Sequence, residues 1–307
     1  MISSKNILLK QLKVEGKIFN MKKTIGIIGQ GFVGSAIREG MKNYFHIETL
    51  DIDPEKNTTC RNVREVVDKS SEIIFVCLPT PMKKDGRCDT RIVESAISDI
   101  NDANISLGKK VIAVIKSTIE PGTTDTLNEK YSNVDIVFNP EFLTEANSFD
   151  DFKNQNRIII GGPRPATTTV KTVYRKAFPK VPIVKTGANV AETVKYFINC
   201  FLSTKVSFAN EMKQVCDKID VDYDKVIEYA LYDDRIGNSH LSVPGPDGSL
   251  GFGGHCFPKD LNAIIYIAKD SGIKPTVLSS VWDKNNEVRP SASRDWENMI
   301  GRAVSED

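Results

Sequence analysis

The sequence predicts an α/β fold: an N-terminal doubly wound parallel sheet followed by an all-helical central domain. Short β-branched runs alternate with longer amphipathic segments from Thr24 onward, the pattern of parallel strands joined by crossover helices. After Gly187 the period changes, and 188–219 carries apolar residues at helical spacing with no interior glycine or proline.

Taken in order, strands fit 24–28, 47–50, 73–78, 110–115, 134–138 and 157–161, with a further candidate at 182–185. Helices fit 32–43, 62–69, 89–103, 122–131 and 166–177, most opening at a turn residue or just after proline or glycine. Beyond the sheet, helices fit 188–219, 222–231, 258–271 and 275–287. Residues 233–255, rich in Gly, Pro, Ser and Asn, form a long loop, and such loops inside compact domains usually carry function. The domains expected are therefore 21–186, then 187–290 with a cysteine loop, then a tail over 291–307. Residues 1–20 read as a poorly ordered extension, which leaves Met1 or Met21 as the start.

A chain of 307 residues, 40% hydrophobic and 26% charged, buries a core of one large or two ordinary domains, which excludes disorder and collagen-like repetition. Lys plus Arg number 41 against Asp plus Glu 40, so no global charge draws it to nucleic acid or anionic lipid. Its apolar runs are shorter than a membrane span. The six cysteines include no CxxC pair, which predicts reduced thiols in a cytoplasm and no metal site.

Gly29-Gln30-Gly31-Phe32-Val33-Gly34 follows the first strand and opens a helix. Glycines there allow a tight turn and a close approach of backbone to pyrophosphate, and the helix N-terminus supplies amide donors. Asp51 ends the second strand, twenty residues beyond Gly31, where a carboxylate accepts ribose hydroxyls; this favours NAD over NADP. The bland alternative is an ordinary glycine turn. Leu78-Pro79-Thr80-Pro81 and Lys116-Ser117-Thr118 end the next two strands at the same carboxyl edge. Their hydroxyls, Thr80 and Thr118, could line a cofactor groove or serve only as caps.

Asn139-Pro140-Glu141-Phe142-Leu143-Thr144-Glu145 follows the fifth strand at that edge. As a helical turn it places Glu141 and Glu145 on one face, where a carboxylate can polarise a water; otherwise both are solvated surface acids. Lys195 and Asn199 stand four apart on one helix face and could donate to an oxygen that becomes negative, or simply be solvated. In Gly251-Phe252-Gly253-Gly254-His255-Cys256-Phe257-Pro258-Lys259-Asp260, Pro258 fits the first helical position. Cys256 then sits at the helix's positive end beside Lys259, and both effects favour thiolate. Asp260 could orient or accept protons, His255 reads as a loop side chain rather than a base, and the other cysteines read as small buried hydrophobes.

With Asp233-Asp234-Arg235-Ile236-Gly237, these motifs stand in the order found in the UDP-glucose/GDP-mannose 6-dehydrogenase family, which the chain resembles from about residue 21 to about residue 290. The resemblance implies a Rossmann-like domain, NAD as cofactor, and a four-electron oxidation of a nucleotide sugar's C6 alcohol to the uronate, most commonly UDP-glucose, in the service of surface polysaccharide. It implies that Cys256 attacks the intermediate aldehyde and that the resulting thiohemiacetal is oxidised to a thioester, which water hydrolyses. Lys195 and Asn199 match residues that stabilise oxyanions, Asp260 matches the carboxylate beside the thiol, and Thr118 with Glu141 matches the pair holding a water. Gly29, Gly31, Gly34, Asp51 and Thr80, together with Gln30, Phe32, Val33, Thr118 and Glu145, match the cofactor site. Glu141, Phe142, Leu143, Glu145, Lys195, Asn199, Phe252 and Gly253 match the sugar-nucleotide site. Arg235 matches an arginine that reaches a neighbouring subunit's substrate, and helix 276–287 matches the pairing helix of a homodimer.

The family normally continues into a second Rossmann-like domain, whereas this sequence ends at Asp307. That leaves either the tail and a partner subunit to finish the nucleotide site, or a weak grip on the nucleotide. A two-electron β-hydroxyacid dehydrogenase, which needs no cysteine, and a non-catalytic NAD-binding protein are the alternatives.

Overall fold

The computed structural model describes residues 22–306. The expected extension over 1–20 lies outside the described residues.

Seven strands form one sheet: β1 (Thr24–Ile28), β2 (His46–Leu50), β3 (Ile73–Val76), β4 (Ile112–Ile115), β5 (Asp135–Phe138), β6 (Ile158–Gly161) and β7 (Ile183–Thr186), in the spatial order β2-β1-β3-β4-β5-β6-β7. Every residue of β3 and β4 is buried, as expected for apolar runs covered on both faces. The helices between strands are α1 (Phe32–Met41), α2 (Val63–Lys69), α3 (Arg91–Leu107), α4 (Thr123–Lys130), α5 (Ser148–Lys153) and α6 (Arg164–Ala177). They enclose two apolar clusters, one including Ile27, Phe75 and Tyr174, the other Ile97, Ile115 and Phe138.

Two sequence expectations are corrected. The sheet is mixed rather than wholly parallel: β5 and β6 meet antiparallel through the pair Phe138 and Gly161. The link between them, 139–157, leaves α5 against α1 instead of returning it along the sheet as a crossover, so β6 enters from the opposite end. Helix α3 runs past 103 to Leu107, because its stop is Gly108, which takes the left-handed conformation at φ +61°.

The helical region consists of α7 (Ala188–Lys218), α8 (Tyr223–Ala230), α9 (Phe257–Asp270) and α10 (Thr276–Val288). Helix α7, about 46 Å long at 1.5 Å per residue, packs on α9, α10 and the sheet. Its buried face carries Ala191, Lys195, Asn199, Ser203, Ser207 and Asn210, while Phe197, Phe201 and Phe208 point outward. Near its start, buried Glu192 caps α4: its carboxylate accepts from the amides of Gly122 (2.6 Å) and Thr124 (2.9 Å) and from the Thr124 hydroxyl (2.5 Å). That cap fixes where the long helix starts over the sheet edge, one turn before Lys195.

After α10 the chain does not trail away. Trp296 is buried against Trp282, and the segment then returns to the sheet domain, where the Met82 amide donates to the Ala303 carbonyl and the Ser305 amide to the Met82 carbonyl, each at 2.8 Å. Among the described residues no helix is long and apolar enough to cross a membrane.

Candidate functional site

The first part of the site is the loop between β1 and α1. Gly29 has φ +93°, and a Cβ there would stand 2.2 Å from the Cys77 carbonyl oxygen. A Cβ on Gly34 would meet the Gly29 carbonyl at 1.9 Å, so this glycine lets helix and turn close on each other. Gly31 faces open space, with nothing within 4 Å of its would-be Cβ. It is the N-cap of α1, whose first turn holds no acid and no side-chain cap, so the helix's leading amides face the opening. Open space above uncapped helix amides is an arrangement that can receive a phosphate. At the end of β2, Asp51 accepts from the Gln30 amide at 2.5 Å and from the Asp53 amide at 2.9 Å, which holds the acid beside the loop. Ser117 accepts from the Leu78 amide at 2.9 Å, tying the ends of β3 and β4 together. Thr80 is buried there and Thr118 half-buried.

The second part is a buried ionic frame around Cys256. The Lys195 ammonium donates to the carbonyl of Glu141 (2.8 Å) and to its carboxylate (2.7 Å). One turn on, Asn199 donates to Asp260 at 2.6 Å, and Lys259 donates to the other oxygen of Asp260 at 2.5 Å. Asp260 is 0% exposed. Burial alone would raise the Glu141 carboxyl, but Lys195, the Leu143 amide and Lys116 outweigh it and hold the group below its ordinary value. Burial likewise pulls Lys195 down, and Glu141, Cys256 and Asp260 together raise it above the usual lysine range. Glu141 and Lys195 are therefore an ion pair.

Cys256 behaves differently from the sequence expectation. It is the N-cap of α9, next to Lys259, yet burial pushes its thiol up to about 12. Lys195 and Lys259 oppose that shift, and the carboxylates of Glu141 and Asp260 reinforce it. The resting group is a thiol, because desolvation outweighs the helix terminus and the lysines. A smaller correction concerns Pro258, which is the second residue of α9 and not the first.

Glu141 and Glu145 do not share a helical face. Residues 139–144 form neither helix nor strand, Glu141 turns inward to Lys195, and Glu145 is left 57% exposed. Glu145 lies 3.4 Å from Nδ1 of His255, whose ring packs edge-on against Phe32 at 5.3 Å. Burial lowers the His255 pKa, with Glu145 opposing. His255 thus joins the cysteine loop to the glycine loop, a contact that its place in the motif did not announce. Phe142 lies under the Arg157 guanidinium at 4.2 Å, and Leu143 packs against the sheet core. Phe252 is buried in the cluster of Leu261 and Val281, with both backbone groups held by Asn285, so its ring serves packing. Arg235 stands apart from the frame, 88% exposed and paired with Asp233. Thr118 contributes its carbonyl to Cys88 at 3.3 Å, while Glu141 is engaged by Lys195 and Leu143.

Two further residues support the frame. Lys116, fully enclosed at the end of β4, donates to Asn139 Oδ1 (2.9 Å) and to the Pro140 carbonyl (3.3 Å), and burial pulls it down to about 8. Asn139 also accepts from the Tyr174 hydroxyl at 2.5 Å and donates to the Ile159 carbonyl at 2.6 Å. Both belong to quoted motifs, but nothing in their spacing tells that they meet. Among the described residues no cluster of three His, Cys, Asp or Glu side chains is placed to hold a metal ion.

A glycine loop on a doubly wound sheet, joined by one long helix to a half-buried thiol beside the Lys195–Glu141 and Lys259–Asp260 pairs, is the architecture of an NAD-binding domain followed by a helical domain. Residues 59–178 match the NAD binding domain, and residues 189–287 the central domain, of the UDP-glucose/GDP-mannose dehydrogenase family. The chain belongs to this family, and NAD is its cofactor. It is 35% identical to the UDP-glucose 6-dehydrogenase TuaD of Bacillus subtilis, over 87% of this chain and 64% of TuaD. It is 30% identical to the UDP-glucose 6-dehydrogenase AglM of Haloferax volcanii, over 85% of this chain and 69% of AglM. A solved UDP-glucose dehydrogenase from Pyrobaculum islandicum superposes with a TM-score of 0.79 at 25% identity, over 88% of this chain and 69% of that one. The chain thus spans less than two thirds of TuaD's length.

Proposed function

We propose that this protein is an NAD-dependent nucleotide-sugar 6-dehydrogenase that oxidises the C6 alcohol, with UDP-glucose as the first substrate to test, to the carboxylate. The observation that carries the reading is the half-buried Cys256 thiol in the field of Lys195, Glu141, Lys259 and Asp260, the last held by Asn199, on the elements that border the glycine loop. The names of the relatives support the choice of sugar nucleotide.

NAD, held by the Gly29 to Gly34 loop and Asp51, supplies two-electron acceptance in each oxidation. The protein's own groups do the rest. Lys195 and Asn199 point N–H donors at the oxygen that gains charge when the alcohol loses its proton. The Cys256 thiol adds across the aldehyde carbonyl: the S–C bond forms, and the sulfur's proton ends on the new hydroxyl of the thiohemiacetal. Oxidation of that species leaves a thioester. Water then adds to the thioester, with ionised Glu141 taking up its proton, and releases the carboxylate and the Cys256 thiol. A dissociated thiol is needed only at the moment of attack, which reconciles this route with a protonated resting group.

The reading includes a homodimer. The resemblance puts its pairing helix at α10, whose Val277 is exposed, and α7 adds an outward apolar face where Phe197 stacks on Phe201 and Phe208 also faces outward. In such a dimer, exposed Arg235 is the residue assigned to the neighbouring subunit's substrate. The cytoplasm is the proposed compartment, supported by six free cysteines.

The test is NADH formed per sugar consumed, with NAD and UDP-glucose. About two NADH per sugar is expected for the wild type, and Cys256→Ser should lose carboxylate formation by at least about a thousandfold. A ratio of one that the serine variant leaves unchanged would sink the thiol route.

A further inference from the structure

The loop that carries Cys256 is held by groups that are not part of the ionic frame. Asp295 turns its carboxylate onto Gly254, and its two oxygens accept from that one amide at 3.1 and 3.0 Å. Arg289, 2% exposed, lies alongside: Nη2 is 2.7 Å from Asp247 and 3.5 Å from Asp295, and Nε donates to the Ser293 carbonyl at 2.7 Å. A Cβ on Gly253 would stand 2.3 Å from Arg289 Nη2 and 2.5 Å from Asp295 Oδ1, so the loop backbone lies directly on this pair. Gly254 itself has φ +70°, a conformation that a glycine leaves easily when nothing holds it. Cys256 is two residues further on.

The segment that supplies Asp295 is anchored at both ends. Trp296 is buried against Trp282 at 5.9 Å. Its far end pairs with Met82 through two backbone bonds, and the Ser305 hydroxyl donates to Asp89 at 3.2 Å. Residues 291–305 therefore strap the helical region to the loop that follows β3, with Asp295, next to the Trp296 anchor, set on the thiol loop.

We infer that Asp295 is a positioning residue for Cys256: with Arg289 beneath it, its carboxylate fixes the Gly253–Gly254 turn and thereby the place of the sulfur at the start of α9, opposite Lys195. It touches no reacting atom. Displacing a nucleophile by about 1 Å costs on the order of a hundredfold in rate, so the anchor bears directly on thiol chemistry. The consequence for turnover rests on the proposed function, whereas the placement of the loop does not.

Two measurements on the full chain separate these. The first needs no substrate: the rate at which iodoacetamide alkylates Cys256, read by mass on its own peptide, with the Cys88 and Cys200 peptides as controls for the fold. Asp295→Ala should free the loop and expose the thiol, raising Cys256 alkylation more than about threefold while the two buried controls stay slow. The second is turnover. Asp295→Ala should lower the kcat for carboxylate formation by about a hundredfold, leave the KM for NAD unchanged, and lower the NADH count from about two toward one per sugar, because only the second oxidation needs the thiol. Asp295→Asn, which keeps an acceptor for Gly254 but loses the charge facing Arg289, should fall between.

Alkylation within twofold of wild type, with unchanged kcat and NADH count, overturns the inference. If all three cysteines label fast in the alanine variant, its fold is lost, and Asp295→Asn decides by the same criterion. Absence of wild-type turnover with any nucleotide sugar would overturn the proposed reaction, and the alkylation rates would still decide the role of Asp295.

Discussion

The dinucleotide cradle and the thiol frame lie on adjoining elements but are built by different means. The cradle uses backbone: within six residues, three glycines and a helix start supply space and amides, and Asp51 follows one strand later. The frame uses side chains from separated stretches, Glu141 after β5, Lys195 and Asn199 on α7, and Cys256 to Asp260 at the start of α9. The first tolerates solvent, because amides and one carboxylate remain hydrated until a ligand arrives. The second works only when dry. Its ionised pairs hold together because each charge has a partner at hydrogen-bond distance, and the same dryness keeps the Cys256 thiol protonated.

The sharpest way to break that contrast is to remove one partner from the frame. Lys195→Ala leaves the Glu141 carboxylate buried without its cation, which should cost on the order of 3 kcal/mol and abolish turnover, read as a lower Tm and a lost kcat. Lys195→Met, which keeps the volume, should restore little of either. If Tm is unchanged, the pair is solvated and the frame is not dry.

The cradle should divide its glycines by role. Gly34→Ala drives a methyl into the Gly29 carbonyl and should lower Tm by several degrees together with NAD affinity. Gly31→Ala meets no protein atom, so Tm should stay within about a degree while the KM for NAD rises, since the methyl enters the space where pyrophosphate approaches. Equal effects of the two on Tm would contradict the open cradle.

The smallest effects concern pH. With its pKa pushed to about 12, the Cys256 thiolate fraction grows tenfold per pH unit across the whole neutral range. Alkylation of wild-type Cys256 should therefore keep rising from pH 7 to pH 10, whereas a plateau near pH 7 would indicate a resting thiolate. Lys116, pulled down to about 8, gives a second handle. Between about pH 8 and the ordinary lysine value near 10.4 the unfolded chain keeps a proton that the folded chain has released, so stability rises with pH there. The Tm of wild type relative to Lys116→Met should accordingly improve from pH 8 to pH 10 and stay flat below pH 8.

Local pattern carried much of the molecule. Each strand and long helix lies within a few residues of its place in the sequence pattern, because periodicity and glycine or proline stops act over one or two turns. The glycine loop and Asp51 were legible for the same reason: their geometry is a strand, a turn and a helix in succession. The cysteine loop stood out as a candidate but its charge state was misread, and Glu141 and Glu145 were misread as a helical pair. Neither error could be removed by closer attention to neighbours in the chain. Glu141 is turned inward and buried because Lys195, 54 residues away, holds it, and Lys116 and Asn139 fasten the segment before it. The outward-facing phenylalanines of α7 were part of a correct helical pattern whose exposed side could not be told from its buried one.

From order and spacing alone come the strands and helices, the glycine loop with its acid, and the presence of a cysteine at a helix start, since these depend on bonds and sterics among nearby residues. The antiparallel entry of β6, the pairing of Glu141 with Lys195, the protonated state of Cys256 and the hold of Asp295 on Gly254 come from the assembled fold. These depend on which distant groups exclude water from one another, and desolvation is a property of the surroundings that packing creates, not of the residue that feels it.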